Sequence, residues 1–226
     1  MKKQLTKLAL TAALGLALTL LACEDKEKKQ TPAETQTAEP AAAPPPQEAA
    51  ATTLTDSRDK KTYKTVKIGT QTWMAENLNY EAKGSKCYDN KPANCQKYGR
   101  LYDWNTAMNS CPSGWHLPTN EEWKKLRNFA GGPGPTDSKL MATNGWNKDK
   151  VDNGTDDFGF SALPAGTGFG DSFEDIGNYG GWWSGTEYES LNVDAYREDM
   201  GSSSGEEEHS LTNPKGSLLS VRCIKD

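Results

Sequence analysis

From Trp104 to Leu126 the chain reads W-N-T-A-M-N-S-C-P-S-G-W-H-L-P-T-N-E-E-W-K-K-L. Trp104, Ala107, Met108 and Cys111 fall at i, i+3, i+4 and i+7, which places them on one face of a short helix turned toward a core. Pro112 disfavours a helical residue before it and Ser113-Gly114 supplies turn chemistry, so that helix ends near Cys111. The chain then re-enters as an extended segment, Trp115-His116-Leu117. Thr119 and Glu122 form the spacing of a capping box, which starts a second helix. Its apolar stripe is Trp123, Leu126 and Phe129 or Ala130, and Gly131-Gly132 stops it.

Outward from this stretch, Val66, Ile68, Trp73 and Ala75 flank Gly69-Thr70 and predict a β-hairpin that opens the domain. Beyond the second helix the sequence is rich in Gly, Asn, Asp and Trp, so short strands and ordered loops are expected, the last of them at Val193–Arg197 and Ser217–Ile224. Strands at both ends beside two short helices make an α+β class.

The W-x-x-A-x-x-x-C-x-x-x-W-x-L pattern and its capped helix resemble the C-type lectin-like fold, and within it the Fibrobacter succinogenes major paralogous domain family of bacterial exported proteins. Further matching pieces are I-G-T-Q-T-W-M-A-E-N-L-N from Ile68, Y-G-R-L-Y-D-W from Tyr98, G-F-S-A-L-P-A-G from Gly159, W-W-S-G-T-E from Trp182 and S-V-R-C-I from Ser220. The resemblance covers residues 56–226 and implies a lectin-like domain of short antiparallel strands. It implies no common activity.

Before that domain the composition changes twice. Lys2 and Lys3 precede an apolar run from Leu8 to Ala22, an export signal over residues 1–22 that is too short for a spanning helix. Leu20-Leu21-Ala22-Cys23 resembles the lipobox at which bacterial lipoproteins are cleaved, so Cys23 is expected to carry the lipid that anchors the chain to a membrane. Glu24, where an inner-membrane retention signal has Asp, points to the outer membrane, and Glu24-Asp25 resembles surface-export signals. Residues 23–55 are then dominated by Ala, Pro, Thr, Gln and Glu without an aromatic residue. Such a segment cannot bury enough apolar surface to offset its ordering entropy and reads as a disordered tether.

Apart from Cys23 the cysteines are Cys87, Cys95, Cys111 and Cys223. Their even number in an exported chain suggests disulfides and by itself leaves three connectivities open. The lectin-like resemblance implies Cys111 with Cys223, because that fold ties the end of its first helix to its final strand, and so Cys87 with Cys95.

The same fold resemblance extends to the formylglycine-generating sulfatase-modifying enzymes, whose L-P-T-x-x-E-W segment is similar to Leu117–Trp123. Those enzymes use reactive cysteines; a disulfide has no free thiolate to attack or to bind metal. The only histidines are His116, inside the family-like W-H-L-P-T segment, and His209, after Glu206-Glu207-Glu208. No pair of nucleophile and base emerges, and the chain is read as not an enzyme.

No cofactor is implied. Asn147, Asp149, Asp152, Asn153, Asp156 and Asp157 form the densest oxygen-rich stretch, and calcium through Asp152, Asp156 and Asp157 is the alternative to a reading as Asx-type turns. The spacing matches no EF-hand loop and the sugar motifs of calcium-dependent lectins are missing. Seven tryptophans and eight tyrosines leave aromatic recognition as the third chemistry. Trp146, Phe169, Tyr179, Trp182, Trp183 and Tyr188 flank the Gly-rich segment Gly166–Gly181 and are the candidate ligand contacts, with one of the adjacent Trp182 and Trp183 expected to reach a surface if they sit on a strand. A net charge of −5 without a basic patch argues against nucleic acid. The expectation is therefore a lipid-anchored envelope lipoprotein whose head binds a glycan or a surface protein, with a structural role as its rival.

Overall fold

The computed structural model describes residues 52–132, 136–149, 151–201 and 211–226. In chain order the strands are β1 Thr52–Thr55, β2 Thr62–Ile68, β3 Gln71–Met74, β4 Leu101–Tyr102, β5 Trp115–His116, β6 Thr167–Phe169, β7 Ser172–Glu174, β8 Gly180–Glu187, β9 Asp194–Met200, β10 Leu211–Pro214, β11 Ser217–Ser220 and β12 Ile224–Lys225. The helices are α1 Pro92–Tyr98, α2 Trp104–Ala107, α3 Asn120–Ala130 and α4 Thr136–Leu140. The class is α+β, with four helices among the described residues rather than two. Thr52–Thr55, expected in the tether, instead pair antiparallel with Thr62–Thr65. Three threonines around Leu54 suit a half-exposed edge strand.

One sheet has the order β1-β2-β3-β12-β5; the other runs β10-β9-β8-β11-β6-β7, with β4 also paired to β11. Pairing is antiparallel except at β8 and β11, where Ser220 faces Trp182 in parallel. The expected hairpin is β2–β3, registered Val66 to Trp73, and its turn uses Gly69 at φ 59°. A Cβ on Gly69 would stand 2.9 Å from the Phe129 ring, so glycine there both permits the turn and lets α3 lie over it.

The predicted final strand, Ser217–Ile224, is two strands in different sheets. Val221-Arg222-Cys223 carry the chain from β11 to β12, and all three are fully buried. Where the chain changes sheet its backbone polar groups leave the ladder, and local bonds replace it: Met74 donates its N–H to the Cys223 carbonyl at 3.0 Å and Leu78 to that of Val221 at 2.8 Å.

α3 is capped as expected: Thr119 Oγ1 accepts from Glu122 N at 3.3 Å, and the Glu122 carboxylate accepts from Thr119 N at 2.8 Å. Trp123, Leu126 and Ala130 are its buried stripe. Arg127 extends that face as a buried cation that bonds Glu198, the Asp137 carboxylate at 2.6 Å and the Asp199 carbonyl at 2.8 Å, fastening α3 to β9 and α4. Burial pushes the Glu198 carboxyl up, and Arg127 opposes that shift. α2 is shorter than predicted. After one turn, Ser110 Oγ bonds back to the Thr106 carbonyl, a local alternative to continuing the helix. Trp104, Ala107 and Cys111 pack on the core as expected, but Met108, though its N–H still bonds the Trp104 carbonyl, lies at the edge of that face and is exposed.

Candidate functional site

Asn77, in the E-N-L-N segment, is the junction from which the site is built. Its Nδ2 donates to the Tyr98 carbonyl at 2.8 Å, and its Oδ1 accepts from Trp182 Nε1 at 2.9 Å and from Arg222 Nε at 3.0 Å. One buried amide thus joins α1, β8 and the crossover segment. Arg222 is fully buried and has no carboxylate within ion-pair distance among the described residues. Its guanidinium donates to the carbonyls of Phe160, of Ser161 at 2.8 Å and of Met74 at 3.4 Å, and lies 4.3 Å from the Phe160 ring centroid. Burial lowers its pKa to about 9, so it remains a cation at neutral pH. Asp156 completes this floor by accepting from Ser161 N at 2.7 Å and from Ser161 Oγ at 2.5 Å. Burial raises the Asp156 carboxyl above its ordinary value, and the bonds from Ser161 oppose that rise.

Over this floor lies a groove of about 660 Å³ between β2, α1 and the segments around Asn144 and Asp157. Its wall on β2 is fixed by Tyr63, whose hydroxyl accepts from Asn79 N at 3.1 Å; burial pushes that phenol up to about 12, so it stays protonated. Lys61, Lys64 and Lys97 balance Glu76, Asp156 and Asp157 along the lining, which leaves the groove without net charge. Gln96 on α1 and Thr143 and Asn144 beside α4 are exposed there, and their side chains make no hydrogen bond to other described residues. Amides and hydroxyls so placed can donate and accept at once. No motif marks Gln96, Thr143 or Asn144, whereas Asn77, Asp156, Ser161 and Arg222 lie in segments the sequence singled out.

The predicted aromatic group is dispersed. Trp182 and Trp183 do point to opposite faces of β8, but both faces are covered. Trp182 packs with Trp73, Trp123, Phe160 and Trp146, its ring centroid 6.4 Å from that of Trp123. Trp183 packs with Tyr63, Tyr102 and Leu219, and donates its Nε1 to the Tyr102 carbonyl at 2.7 Å. Trp146 is also buried and donates to the Ala162 carbonyl at 3.1 Å. These three rings are core and offer no face to a ligand. Tyr188 is half-buried, edge-on to Tyr196. Phe169 is 66% exposed and shares a second, smaller cleft with Tyr179.

The oxygen-rich stretch resolves as turns where the bonds can be followed: Asp156, at φ 50°, holds the loop through Ser161, while Asn153 Oδ1 accepts from Trp146 N at 3.1 Å. Asp152 and Asp157 are exposed, and no group of three His, Cys, Asp or Glu side chains stands close enough together for a metal among the described residues. The four head cysteines pair as the resemblance implied, Cys87 with Cys95 and Cys111 with Cys223. Cys23, the signal segment and His209 lie outside the described residues.

His116 is placed between two carboxylates, Nδ1 2.7 Å from Asp226 and Nε2 3.0 Å from Glu122. Burial alone would lower its pKa, but the bonds from Asp226 and Glu122 outweigh it and the net shift is upward from 6.5. A base whose pKa is higher folded than unfolded contributes its full stability below the unfolded value and loses it as pH rises through the folded value. The melting temperature should therefore fall as pH is raised through and above 6.5. Thermal scans from pH 5.5 to 8.5 check this: the slope should disappear in His116→Gln, and a slope retained there would assign it to other groups.

A family model described as the Fibrobacter succinogenes major domain matches residues 66–225. No curated protein and no solved structure matches the chain.

Proposed function

Given that the chain belongs to the Fibrobacter succinogenes major domain family, we propose that it is a lipid-anchored envelope lipoprotein whose head holds a neutral, hydroxyl-rich polymer, a glycan, in the groove over Asn77. The observation that carries this reading is the set of exposed, uncommitted Gln96, Thr143 and Asn144 side chains along a wall system without net charge. A hydroxyl-rich chain needs donors and acceptors more than it needs charge, and a groove of this size is in the range of ligand sites. The tying up of all four head cysteines supports a binding module over an enzyme. The bridge from Cys111, four residues beyond α2, to Cys223, just before β12, together with the two sheets, supports the finer fold reading as C-type lectin-like.

Anchoring is proposed from the lipobox-like Leu20–Cys23, with Cys23 acylated, the outer membrane as its place and residues 24–51 as the tether. A structural role without a ligand is the competing reading, and the burial of Trp146, Trp182 and Trp183 favours it. A polysaccharide-binding screen of the protein, with and without EDTA, separates the two. Binding should be unaffected by EDTA and should weaken about 30-fold in Gln96→Ala/Asn144→Ala, from two lost hydrogen bonds of about 1 kcal/mol each. Failure of every glycan to bind would leave the structural role. Fatty-acid labelling should mark the wild type and not Cys23→Ala.

A further inference from the structure

The cleft between the β6–β7 hairpin and the β9–β10 pair shares no lining residue with the groove. We infer that it is a second binding site, for a single neutral sugar ring.

Phe169 is the platform. It sits in a strand, with its backbone registered to Ser217 on β11 and to Ser172 on β7, and not in a loose loop. A Cβ on Gly216 would lie 3.3 Å from its ring, so that glycine leaves room for the ring, which remains 66% exposed. Lys86 steadies the hairpin turn by donating to the Gly170 carbonyl and the Asp171 carboxylate, both at 2.7 Å. A rigid, solvent-facing ring suits the apolar C–H face of a pyranose.

Around the ring the cleft is polar. Arg197 donates from Nε to Asn213 Oδ1 at 2.8 Å and from a terminal nitrogen to the Tyr179 hydroxyl, and pairs with Asp199 at 3.2 Å. Because arginine can only donate, Asn213 must turn its carbonyl to Arg197, which leaves its Nδ2 as a donor. Ser217 is only 6% exposed, yet it lines the cleft and its hydroxyl makes no hydrogen bond among the described residues. A hydroxyl without a protein partner that opens on a cleft can both donate to and accept from a ligand. Glu174 and Asp175 are exposed at the cleft and supply acceptors. Donor, hydroxyl and acceptors beside an aromatic face match the alternating hydroxyls of a sugar. The two carboxylates set the specificity by repelling an acidic sugar, since Asp199 already balances Arg197. The volume, about 260 Å³, fits one ring better than a chain.

Titration calorimetry of the full-length protein with cellotriose, maltotriose, mannotriose and chitotriose, and with trigalacturonic acid as the acidic counterpart, tests this. At least one neutral trisaccharide should bind and trigalacturonic acid should not. Phe169→Ala should weaken that binding about tenfold at an unchanged melting temperature, Phe169→Trp should keep it, and Glu174→Lys should admit the acidic probe. Wild-type protein that binds no neutral probe, or that binds trigalacturonic acid equally well, overturns the inference, as does unaltered affinity in Phe169→Ala. The two sites are told apart by their variants. Loss in Gln96→Ala/Asn144→Ala with Phe169→Ala unaffected rejects this cleft and keeps the groove; the opposite pattern rejects the groove and keeps the cleft.

Discussion

Replacing Cys111 and Cys223 together by alanine should lower the unfolding free energy by about 4–5 kcal/mol, against about 2.5 kcal/mol for Cys87 and Cys95, on the chain-entropy account of loop closure. The first bridge joins residues 112 apart and the second residues 8 apart. Longer closure removes more of the unfolded chain's freedom. The long bridge is also anchored at Cys223, which is fully buried, so its loss disturbs packing as well. Urea denaturation of the two double variants measures the difference. An equal or larger loss from the short bridge would reject loop closure as the main source of stabilisation.

A comparable loss, about 3–5 kcal/mol, is expected for Arg222→Leu. Three carbonyls, those of Met74, Phe160 and Ser161, take bonds from one guanidinium, and the amide oxygen of Asn77 accepts from it as well as from Trp182 Nε1. Removing it leaves them buried and under-bonded, at about 1–3 kcal/mol for each that finds no other partner. Desolvation of the cation itself works in the opposite direction and limits the net effect. Arg222→Lys should rescue little, because a lysine ammonium cannot reproduce the planar fork of donors. Stability within about 1 kcal/mol of wild type in Arg222→Leu, measured by the same denaturation, would show that the network carries no such weight.

Much of the frame was legible because local chemistry determined it. Thr119 and Glu122 cap α3 from side chains three residues apart, and Gly69 marks a two-residue turn; neither depends on the rest of the fold. The failures came where a second layer intervenes. Alternation along β8 was read correctly for Trp182 and Trp183, but alternation cannot say whether one face or both faces of a strand are covered. Met108 keeps its helical bond to the Trp104 carbonyl and is exposed all the same, because spacing sets a helix face but not how wide a strip of it is covered. Thr52–Thr55 have no apolar pattern of their own and become a strand only because β2 offers them an edge. The groove was illegible for a different reason: Gln96, Asn144 and Asp157 come from three separate segments, and nothing in their spacing connects them. Phe169 alone of the predicted rings remained exposed, because its hairpin packs by the opposite face, through Phe173 against Tyr88.

The crossover at Val221–Cys223 also has a bearing on when the domain can form. β11 is paired to β4, β6 and β8, while β12 lies between β3 and β5, with Ile224 opposite both Trp73 and His116. β11 and β12, which follow the other strands in chain order among the described residues, are thus interior strands of both sheets. Until residues 217–225 are in place, β3 and β5 have no strand between them, and β8 has no neighbour on the β11 side. Both sheets stay incomplete without residues 217–225, and the pairs of Ile224 with Trp73 and with His116 span more than a hundred positions, the kind that form slowly. Completion of both sheets therefore waits on residues 217–225.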